Sequence, residues 1–443
     1  MRDGSDSQFT SCWYFWIKEH LMHPRLKHVL RRCLSIDHFS KEDVERIQQE
    51  KLRNVLRYAA SHVHYYQQWF KEHGIATSNV MLSDFPVIDK KTIRGHEKDF
   101  VSDEFIIDRL QSTRTSGSTG EPFFFYRERT EWDCAYACLW RGLFRLGIKM
   151  GDKRAFVKGV DERPNVSIYT RIRRWVYGVI NRCIVIDAHF LAISEENILL
   201  AIKRLKRYHP VYIHGYVSSI DLLATTAERH DIRLDDIGVK VIVTESEKLY
   251  DFQRERISRI FDCPVAEDYG CVEFGMIAQP DIRGNLCVND DHVYVETSGD
   301  GAAIFTNLDA YAFPFIRFKN GDKVTLRKEK KSGLPYQEFE RVDGRMTDRI
   351  RLPQGGTLQG FIVMYPIYKH SRFLSAYQVY QPDLYHLIIR VVLVNALPSE
   401  IREQMISEMQ TLVGDEVQVS LDVAESIPIT QRGKRLFICS DVK

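Results

Sequence analysis

The sequence has no long apolar run, no excess of one charge and no paired cysteine motif. Its 443 residues include 62 lysines and arginines against 60 aspartates and glutamates, so the net charge is +2. That balance indicates neither a nucleic-acid surface nor a funnel for acidic substrates. No apolar stretch approaches the about 20 residues that a membrane-spanning helix needs. The early segment "CWYFWI" is short and basic residues follow it, so we expect a cytoplasmic protein without a signal peptide or transmembrane segment.

The nine cysteines include no CxxC pair. This distribution indicates neither a zinc ribbon nor a disulfide framework, and reduced cytosolic thiols are the economical interpretation. Cys134 and Cys138 stand four residues apart on a predicted helix, where they could place two metal ligands on one face. No histidine or second cysteine pair completes such a set, which favours buried small side chains.

The chain is long enough for two or three domains and shows no repeats or low-complexity linkers. Residues 42–74 carry apolar side chains at helical spacing, and Gly74 fits a C-cap. Between residues 109 and 310, apolar runs such as "RAFVKGV" and "VKVIVTE" alternate with helical segments. This alternation is typical of a parallel sheet covered by helices.

Strand-like segments such as "HVYVET" and "GAAIFTNL" then follow with hardly a helix between them, and they predict a β-rich subdomain. The last part of the chain predicts strand, helix and strand. We therefore predict an α/β protein with three parts. These are a helical N-terminal region of the large domain at 1–108, an α/β core with the β-rich subdomain at 109–346, and a small mobile α+β lid domain at 347–443.

The segment "TSGSTGEP", residues 115–122, combines glycines with hydroxyl residues. Its donors to an anion would be the backbone N–H groups freed by Gly117 and Gly120 and the hydroxyls of Thr115, Ser116, Ser118 and Thr119. A kinase or NTPase P-loop needs a lysine where Glu121 stands, so that motif does not match. The GxSxG nucleophile elbow does not match either, because Gly117 and Gly120 enclose two residues rather than three. These residues alone leave a phosphate loop and a hairpin turn both open. The aromatics at 123–126 predict a buried strand that holds the loop.

Five segments in order resemble motifs of the adenylate-forming superfamily. "TSGSTGEP" is similar to its phosphate loop, "DYGCVEFG" (268–275) to YGxTE, "FIRFKNGDKV" (315–324) to YRTGD, "DGRMTDRIRL" to the GRxDDxIK hinge, and "PITQRGK" to the closing PxTxxGK. The likeness runs from about residue 50 to the end. It is nearest to the branch of phenylacetate–coenzyme A ligases and capsular-polysaccharide-type relatives. Each motif is weak alone, and their order carries the resemblance.

The resemblance implies an enzyme that joins a carboxylate to the α-phosphate of ATP, releases pyrophosphate and passes the acyl group to coenzyme A, an amine or a hydroxyl. The cofactors would be ATP, Mg²⁺ and, in the ligase version, coenzyme A. The substrate would be a small carboxylic acid, an amino sugar is one candidate acceptor, and a surface-polysaccharide pathway fits the capsular relatives. No nucleic-acid partner is expected, and a homodimer stays open.

The resemblance also implies roles for single residues. Glu273 would hold Mg²⁺, a hard cation that bridges phosphate oxygens. Asp322 would accept both ribose hydroxyls, and Arg345 would reach the phosphates or the ribose. Lys434 would be carried in on the small domain to meet the α-phosphate and the acyl oxygen. The nucleotide would further contact Thr115, Ser116, Gly117, Ser118, Thr119, Gly120, Ser246, Glu247, Asp268, Tyr269 and Gly270.

The acyl pocket is the least defined part of the predicted site. Its candidates are Trp132, Tyr136, Trp140 and His214, and the alternative for each is a core aromatic or a satisfied histidine. The sequence also departs from the family pattern, because Glu121 replaces the loop lysine and Thr347 replaces the first hinge acid, leaving Asp348. Adenylation is therefore better supported than transfer to coenzyme A. The competing hypothesis is a nucleotide-binding or scaffold protein of a glycan-assembly complex that has lost turnover.

Overall fold

The computed structural model describes residues 10–23, 25–115, 123–158, 168–187, 195–247, 249, 251–345, 349–355, 357–359, 363–364, 366–367, 370, 373–393, 396–427 and 438–442. The chain divides into two compact units, the first built mainly from residues before 345 and the second mainly from 345–443. Within the described residues, no helix is long and apolar enough to cross a membrane.

Helices open the first unit and later cover its sheets. They are α1 (Trp13–Met22), α2 (Leu26–Ile36), α3 (Lys41–His62), α4 (His64–His73), α5 (Lys90–Ile93), α6 (Arg129–Arg145), α7 (Ile168–Ile180), α8 (Glu195–Tyr208), α9 (Val217–Arg229) and α10 (Asp251–Phe261). Short 3₁₀ helices lie at Thr77–Asn79, Leu82–Asp84, Glu97–Phe100, Ile107–Arg109 and Asp235–Ile237.

The predicted helical region at 42–74 is confirmed, with one interruption. The Ser40 hydroxyl caps α3 by accepting the Asp43 N–H, and Gly74 ends α4 with a φ of 65°. Glycine adopts that left-handed conformation without strain, which is why the sequence predicted the C-cap at this position. Val63 breaks the run with an extended backbone, so the region is two helices rather than one.

A short antiparallel hairpin brackets the glycine-rich segment. Its strands are β1 (Gln111–Thr115) and β2 (Phe123–Arg127), paired from Thr115 opposite Phe123 to Gln111 opposite Arg127. Phe123 and Phe125 are buried, whereas Phe124 points to solvent. The predicted buried strand is thus buried on one face only, because successive side chains of a strand alternate between faces.

A parallel sheet forms the centre of the first unit, as predicted. Its strands are β3 (Arg154–Lys158), β4 (Cys183–Asp187), β5 (Tyr212–Tyr216), β6 (Val241–Glu245) and β7 (Val265–Glu267), in the order β4-β3-β5-β6-β7. Every neighbouring pair is parallel. A Cβ at Gly215 would lie 1.8 Å from the Val157 carbonyl oxygen, so β3 and β5 require glycine there to approach. The carboxyl ends of such strands are where α/β sheets bind ligands.

The predicted β-rich subdomain is a seven-stranded sheet. Its strands are β8 (Tyr269–Cys271), β9 (Gly275–Pro280), β10 (Leu286–Val288), β11 (Val293–Thr297), β12 (Ala302–Asn307), β13 (Phe318–Leu326) and β14 (Glu338–Arg345), in the order β11-β12-β13-β14-β10-β9-β8. Phenylalanines from β2, β12 and β13 pack together; the Phe123 and Phe318 rings stack with centroids 6.4 Å apart. This aromatic core fixes the exit of the glycine-rich segment against the sheet.

The second unit has its own small core. It contains β15 (Arg349–Arg351), β16 (Thr357–Gln359), β17 (Leu374–Asp383), β18 (His386–Leu393), α11 (Ser399–Val413), β19 (Gln418–Val423) and β20 (Ile438–Ser440). The four-stranded sheet runs β19-β18-β17-β20, and α11 connects the parallel pair β18 and β19. Met405 and Met409 of α11 are buried with Ile389 and Val391 of β18. The predicted strand, helix and strand are confirmed.

The nine cysteines all lie within the described residues, and none of them forms a disulfide. Burial raises the pKa of several of these thiols, including Cys134 and Cys263. The thiols with a raised pKa are therefore protonated, poorly reactive side chains in the folded protein.

Candidate functional site

The carboxyl ends of β5 and β6 bring a histidine and a glutamate together. His214 on β5 is buried, and its Nε2 lies 3.0 Å from Oε2 of Glu245, the last residue of β6. Burial opposes the charge on Glu245, but the contact with His214 and the charges of Arg154 and Lys158 together outweigh it and lower the pKa of Glu245 below its usual range. His214, a predicted acyl-pocket residue, thus has a polar partner inside the protein.

Asp268 follows β7 at the same end of the sheet. Its backbone N–H donates to the Thr244 carbonyl oxygen at 2.9 Å, and its side chain is buried. Burial raises the pKa of Asp268 to about 7, while the nearby His214 acts in the opposite direction. This carboxyl group can therefore hold or release a proton near neutral pH.

Ser246 and Glu247 form the turn after β6. Ser246 is exposed and has a φ of 67°, and the Glu247 N–H donates to the Glu245 carbonyl oxygen at 2.9 Å. A non-glycine residue in the left-handed region is uncommon and costs free energy, which makes this turn a strained one at the edge of the sheet. It stands beside the strand end that precedes Asp268.

A hydrogen bond joins the second and third of the five motifs. The Tyr269 hydroxyl donates to Oδ2 of Asp322 at 2.8 Å, across 53 positions of sequence. The Asn320 side chain also donates to Oδ2, at 2.6 Å. Burial, followed by the Asp322 charge, raises the pKa of Tyr269 well above its usual value, so the phenol stays protonated and keeps donating. Asp322 is half-buried, which leaves its carboxylate within reach of a ligand hydroxyl.

Gly270 has a structural requirement of its own. A Cβ at this position would lie 2.2 Å from the Gly275 carbonyl oxygen on the paired strand β9. The β8–β9 hairpin could not close with any larger residue. Close approach of two strands therefore explains this glycine whether or not a purine lies against its backbone.

Glu273 sits in the turn between β8 and β9 and is buried. Its Oε1 lies 2.6 Å from the Lys90 ammonium, which enters from α5. Asp89 caps α5 by accepting the Lys91 and Thr92 N–H groups. The Lys90 ammonium also stands 5.6 Å from the ring centre of Phe123, the first residue of β2. A positive charge therefore lies at the exit of the glycine-rich segment.

Sequence reasoning missed Lys90. The segment "DKKT" shows a helix cap, but no spacing rule connects position 90 with a glutamate at 273. The available signal was indirect: Glu121 left the predicted phosphate loop without a lysine, and the sequence led us to expect that the backbone, the hydroxyls and Mg²⁺ would suffice there.

A small cleft of about 10 Å³ beside β2, with room for about one water molecule, reaches Glu273. Its lining includes Phe125, Arg127, Glu128 and Glu131. Nε of Arg127 donates to Glu131 at 2.6 Å. Glu128 accepts the Tyr311 and Ala312 N–H groups, yet burial raises its pKa to about 7. The cleft thus contains two ion-paired carboxylates, Glu131 and Glu273, and a third, Glu128, that titrates near neutral pH.

The three aromatic acyl-pocket candidates lie on one stripe of α6. The Tyr136 hydroxyl donates to Glu19 at 2.8 Å, and Trp140 meets Phe15 edge-on at 6.5 Å, so both pack against α1. Trp132 is partly exposed and lies against the Arg127 guanidinium, 4.6 Å from the ring centre. Trp132 is the one of the three next to the cleft; acyl binding by any of them stays a prediction.

Several predicted positions lie outside the described residues. They are Ser116, Gly117, Ser118, Thr119, Gly120, Glu121, Thr347, Asp348 and Lys434. The backbone of Thr115 ends β1 and that of Arg345 ends β14. The structure thus brings Asp268, Tyr269, Gly270, Glu273 and Asp322 together around β8, and the roles of these and of the other predicted residues stay predictions.

Cys33, Cys138 and Asp291 also meet, with ligand atoms within 4.8 Å of one another. Arg141 already forms an ion pair with the Asp291 carboxylate. Its two terminal nitrogens donate to the two Asp291 oxygens at 3.1 and 2.7 Å. A guanidinium therefore neutralises the buried charge, and a metal ion is not needed there. Cys134 is not part of this cluster.

No family model matches the sequence. The chain is 24% identical over 416 residues to protein CapK of Staphylococcus aureus, covering 90% of each protein. Its structure resembles that of 2-hydroxyisobutyryl-CoA ligase in the postadenylation state with R3-HIB-AMP, with a TM-score of 0.66, 19% identity, and 94% and 92% of the two chains covered. The chain has the adenylate-forming ligase fold.

The likeness holds for a second state of the same ligase, in complex with 2-HIB-AMP and CoA, with a TM-score of 0.59 at 19% identity and the same coverage. The predicted fold class is therefore confirmed, and the chain is similar to CapK over most of its length, in line with the predicted resemblance. The phenylacetate–coenzyme A ligase subtype stays a prediction.

Proposed function

We propose that this protein activates a carboxylic acid with ATP, forming an acyl-adenylate and pyrophosphate, and then transfers the acyl group. In the first step a carboxylate oxygen attacks the α-phosphorus, and the bond from that phosphorus to the bridging oxygen of the β-phosphate breaks. In the second step the acceptor attacks the acyl carbon and AMP leaves. The observation that carries the proposal is the 2.8 Å hydrogen bond between Tyr269 and Asp322, because it assembles two distant nucleotide-site motifs.

In this proposal Asp322 accepts the ribose hydroxyls, and the Tyr269 and Asn320 donors hold its carboxylate in place. Two carboxylate oxygens suit a vicinal diol, since each can accept one hydroxyl proton. The adenine ring lies over Tyr269 and Gly270, bordered by Ser246, Glu247 and Asp268. Asp268 with a pKa of about 7 is a donor or an acceptor to a base nitrogen according to pH.

Charge neutralisation comes from two sources in the proposal. Glu273 offers the carboxylate oxygen that Mg²⁺ prefers, although Lys90 now holds that oxygen at 2.6 Å. Binding of Mg²⁺ to Glu273 would release the Lys90 ammonium toward the phosphates held by residues 115–120. Lys90 then supplies the positive charge that the family's loop lysine would provide and that Glu121 does not. The site therefore keeps a protein cation near the triphosphate.

The small domain at 347–443 supplies Lys434, and Arg345 stands at its start. A lysine that reaches the α-phosphate from a separate unit lets closure of that unit assemble the site and exclude water from the acyl-adenylate. Coenzyme A as acceptor is supported by the similar ligase that holds 2-HIB-AMP and CoA. The capsular-type resemblance supports an amine or hydroxyl of a sugar as the alternative acceptor.

Exchange of labelled pyrophosphate into ATP, measured across a panel of carboxylic acids, tests the proposal. At least one acid must support exchange and yield a hydroxamate when hydroxylamine is added. Asp322→Asn should weaken ATP binding about 10- to 100-fold, because it removes a charged acceptor of hydrogen bonds. Asp236→Asn, at an exposed ion pair with Lys206, is the matched control and should leave ATP binding unchanged.

Lys434→Ala separates chemistry from binding. Exchange should fall by orders of magnitude while ATP affinity persists, since the lysine acts on developing charge rather than on the ground state. ATP binding without exchange for every acid would contradict the proposal and favour the nucleotide-binding scaffold. Thioester formation with coenzyme A, or amide formation with an amino sugar, identifies the acceptor.

A further inference from the structure

Helix α7 exposes the apolar side that helices of globular proteins normally bury. At about 100° per residue, four apolar residues fall within an arc of about 100°: Ile172, Trp175, Val176 and Val179. All four are exposed, Trp175 by 69%. The helix instead approaches the protein through Gly178, where a Cβ would lie 2.8 Å from the Cys183 carbonyl oxygen. Glycine, which has no side chain, makes the close contact, and no residue that the structure describes covers the apolar arc.

Helix α1 lies against the end of α7 and has exposed apolar residues of its own. The Tyr14 hydroxyl donates to the Val179 carbonyl oxygen at 3.4 Å, and Lys18 donates to the Asn181 side chain at 2.5 Å. Along α1, Trp13, Ile17 and Leu21 recur at every fourth position and are exposed, Trp13 by 74%. We call the combined surface the α1–α7 face; its residues are Trp13, Ile17, Leu21, Ile172, Trp175, Val176 and Val179.

The α7 part of this face is basic. Helix α7 carries Arg171, Arg173 and Arg174 and no acidic residue. Their positions lie outside the apolar arc on the helical wheel, with arginine positions flanking both of its edges. An apolar arc containing tryptophan, bordered by arginines, is the pattern of helices that lie in the plane of a membrane interface. With 13 residues, α7 is too short to span a bilayer.

We propose that the α1–α7 face binds an anionic membrane surface, with α7 parallel to the plane of the lipid headgroups. Tryptophan suits the boundary between headgroups and acyl chains, because its ring is apolar and its N–H can stay hydrated. The arginines meet lipid phosphates. A second copy of this chain fits the face less well. A two-fold axis through it would set arginines of α7 against arginines, and α7 offers no carboxylate to pair with them.

Cosedimentation with vesicles tests the proposal and needs no knowledge of the substrate. The full chain is mixed with vesicles of phosphatidylcholine alone or of phosphatidylcholine with phosphatidylglycerol. We expect binding to the anionic vesicles to be stronger by about 100-fold, since each arginine near an anionic surface contributes about fivefold. Added salt should weaken it, because screening shortens the reach of the surface charge.

Two pairs of matched variants locate the binding surface. Ile172→Ser should weaken anionic-vesicle binding, while Ile282→Ser, an isoleucine 81% exposed in the turn between β9 and β10, should not. Arg173→Glu should weaken it about tenfold or more, while Arg53→Glu on the exposed side of α3 should have little specific effect. ATP binding and thermal unfolding of Ile172→Ser should match those of the parent protein. Brominated lipid should quench tryptophan emission less in Trp175→Phe than in the parent.

Three outcomes would overturn the proposal. One is the absence of binding to anionic vesicles. Another is equal weakening by Ile172→Ser and Ile282→Ser. The third is a dimer in sedimentation velocity that Ile172→Ser dissociates while vesicles stay unbound, which would assign the face to a second copy. The result is independent of catalysis, so failure of the pyrophosphate exchange assay leaves it unaffected.

Discussion

At the scale of single residues, the contact between Lys90 and Glu273 places opposite charges 2.6 Å apart beside the predicted phosphate loop. Lys90→Ala would leave the buried Glu273 carboxylate without its partner. Breaking a buried pair costs about 3–5 kcal/mol, and because Lys90 is a quarter exposed we expect a loss of about 1–3 kcal/mol. Urea unfolding monitored by tryptophan fluorescence measures this change.

Lys91→Ala is the control for that experiment, because Lys91 is exposed on the same helix. Its stability should change by less than about 0.5 kcal/mol. The Lys90 variant should also bind ATP more weakly than the Lys91 variant. Equal ATP affinity in the two variants would remove Lys90 from the nucleotide site and leave it a structural residue.

Asp268 predicts a pH dependence of stability. Its pKa of about 7 exceeds the unfolded value of about 4, so the folded state binds the proton more tightly. The contribution of Asp268 is therefore full at about pH 4 and is lost as pH rises toward about 7. Asp268→Asn should gain stability relative to the parent over that range, by at most about 1.4 kcal/mol per pH unit. Unfolding at several pH values measures the difference.

Asp290 provides a comparison within the same unit. It is buried and accepts the Gln337 N–H at 2.6 Å, and burial raises its pKa to about 7 as well. Asp290→Asn should show the same sign of pH dependence without a change in ATP binding. A flat stability difference for Asp268→Asn between about pH 4 and about pH 7 would contradict the assignment of a titrating carboxyl group there.

At the scale of elements, the β1–β2 hairpin depends on the aromatic side of β2. Phe125 is buried against Phe315, with ring centroids 5.2 Å apart. Phe125→Ala should cost about 3–5 kcal/mol through lost burial and the cavity it leaves. Phe124→Ala, on the neighbouring position that is 43% exposed, should cost less than about 1 kcal/mol. Chemical denaturation measures the free energy of unfolding of both variants. Similar losses would contradict the placement of Phe125 on the buried face of β2 and Phe124 on the exposed face.

Elements with a regular period were predictable from the sequence. The apolar runs that became β5 and β6 are buried on both faces and therefore read as near-continuous apolar segments. The exposure of Phe124 was not predicted, because four aromatics in a row hide the alternation of a strand. The contacts of Lys90 with Glu273 and of Tyr269 with Asp322 depend on how distant segments pack. Only the family resemblance pointed to the second pair, and for the first the sequence offered no more than the lysine missing at Glu121.

At the scale of the whole molecule, the two units separate predicted functions. The first holds the Tyr269–Asp322 contact, and the residues from 347 onward hold Lys434. A chain ending at Met346 should bind ATP within about tenfold of the full chain yet lose pyrophosphate exchange, because the catalytic lysine is absent. Calorimetric ATP titration and exchange assays on the same preparation compare the two properties. Retention of full exchange activity would contradict the role of the second unit.

Two cysteines with raised thiol pKa values allow the unfolding of each unit to be followed in solution. Only the thiolate reacts with alkylating reagents, and burial raises the pKa of Cys263 in the first unit to about 12. Cys439 on β20 is the sole cysteine in the sequence after residue 345, and burial raises its pKa as well. The natural sequence therefore carries a separate chemical reporter in each unit. Mass spectrometry of peptides alkylated during a denaturant ramp would give the opening of each unit without any introduced label.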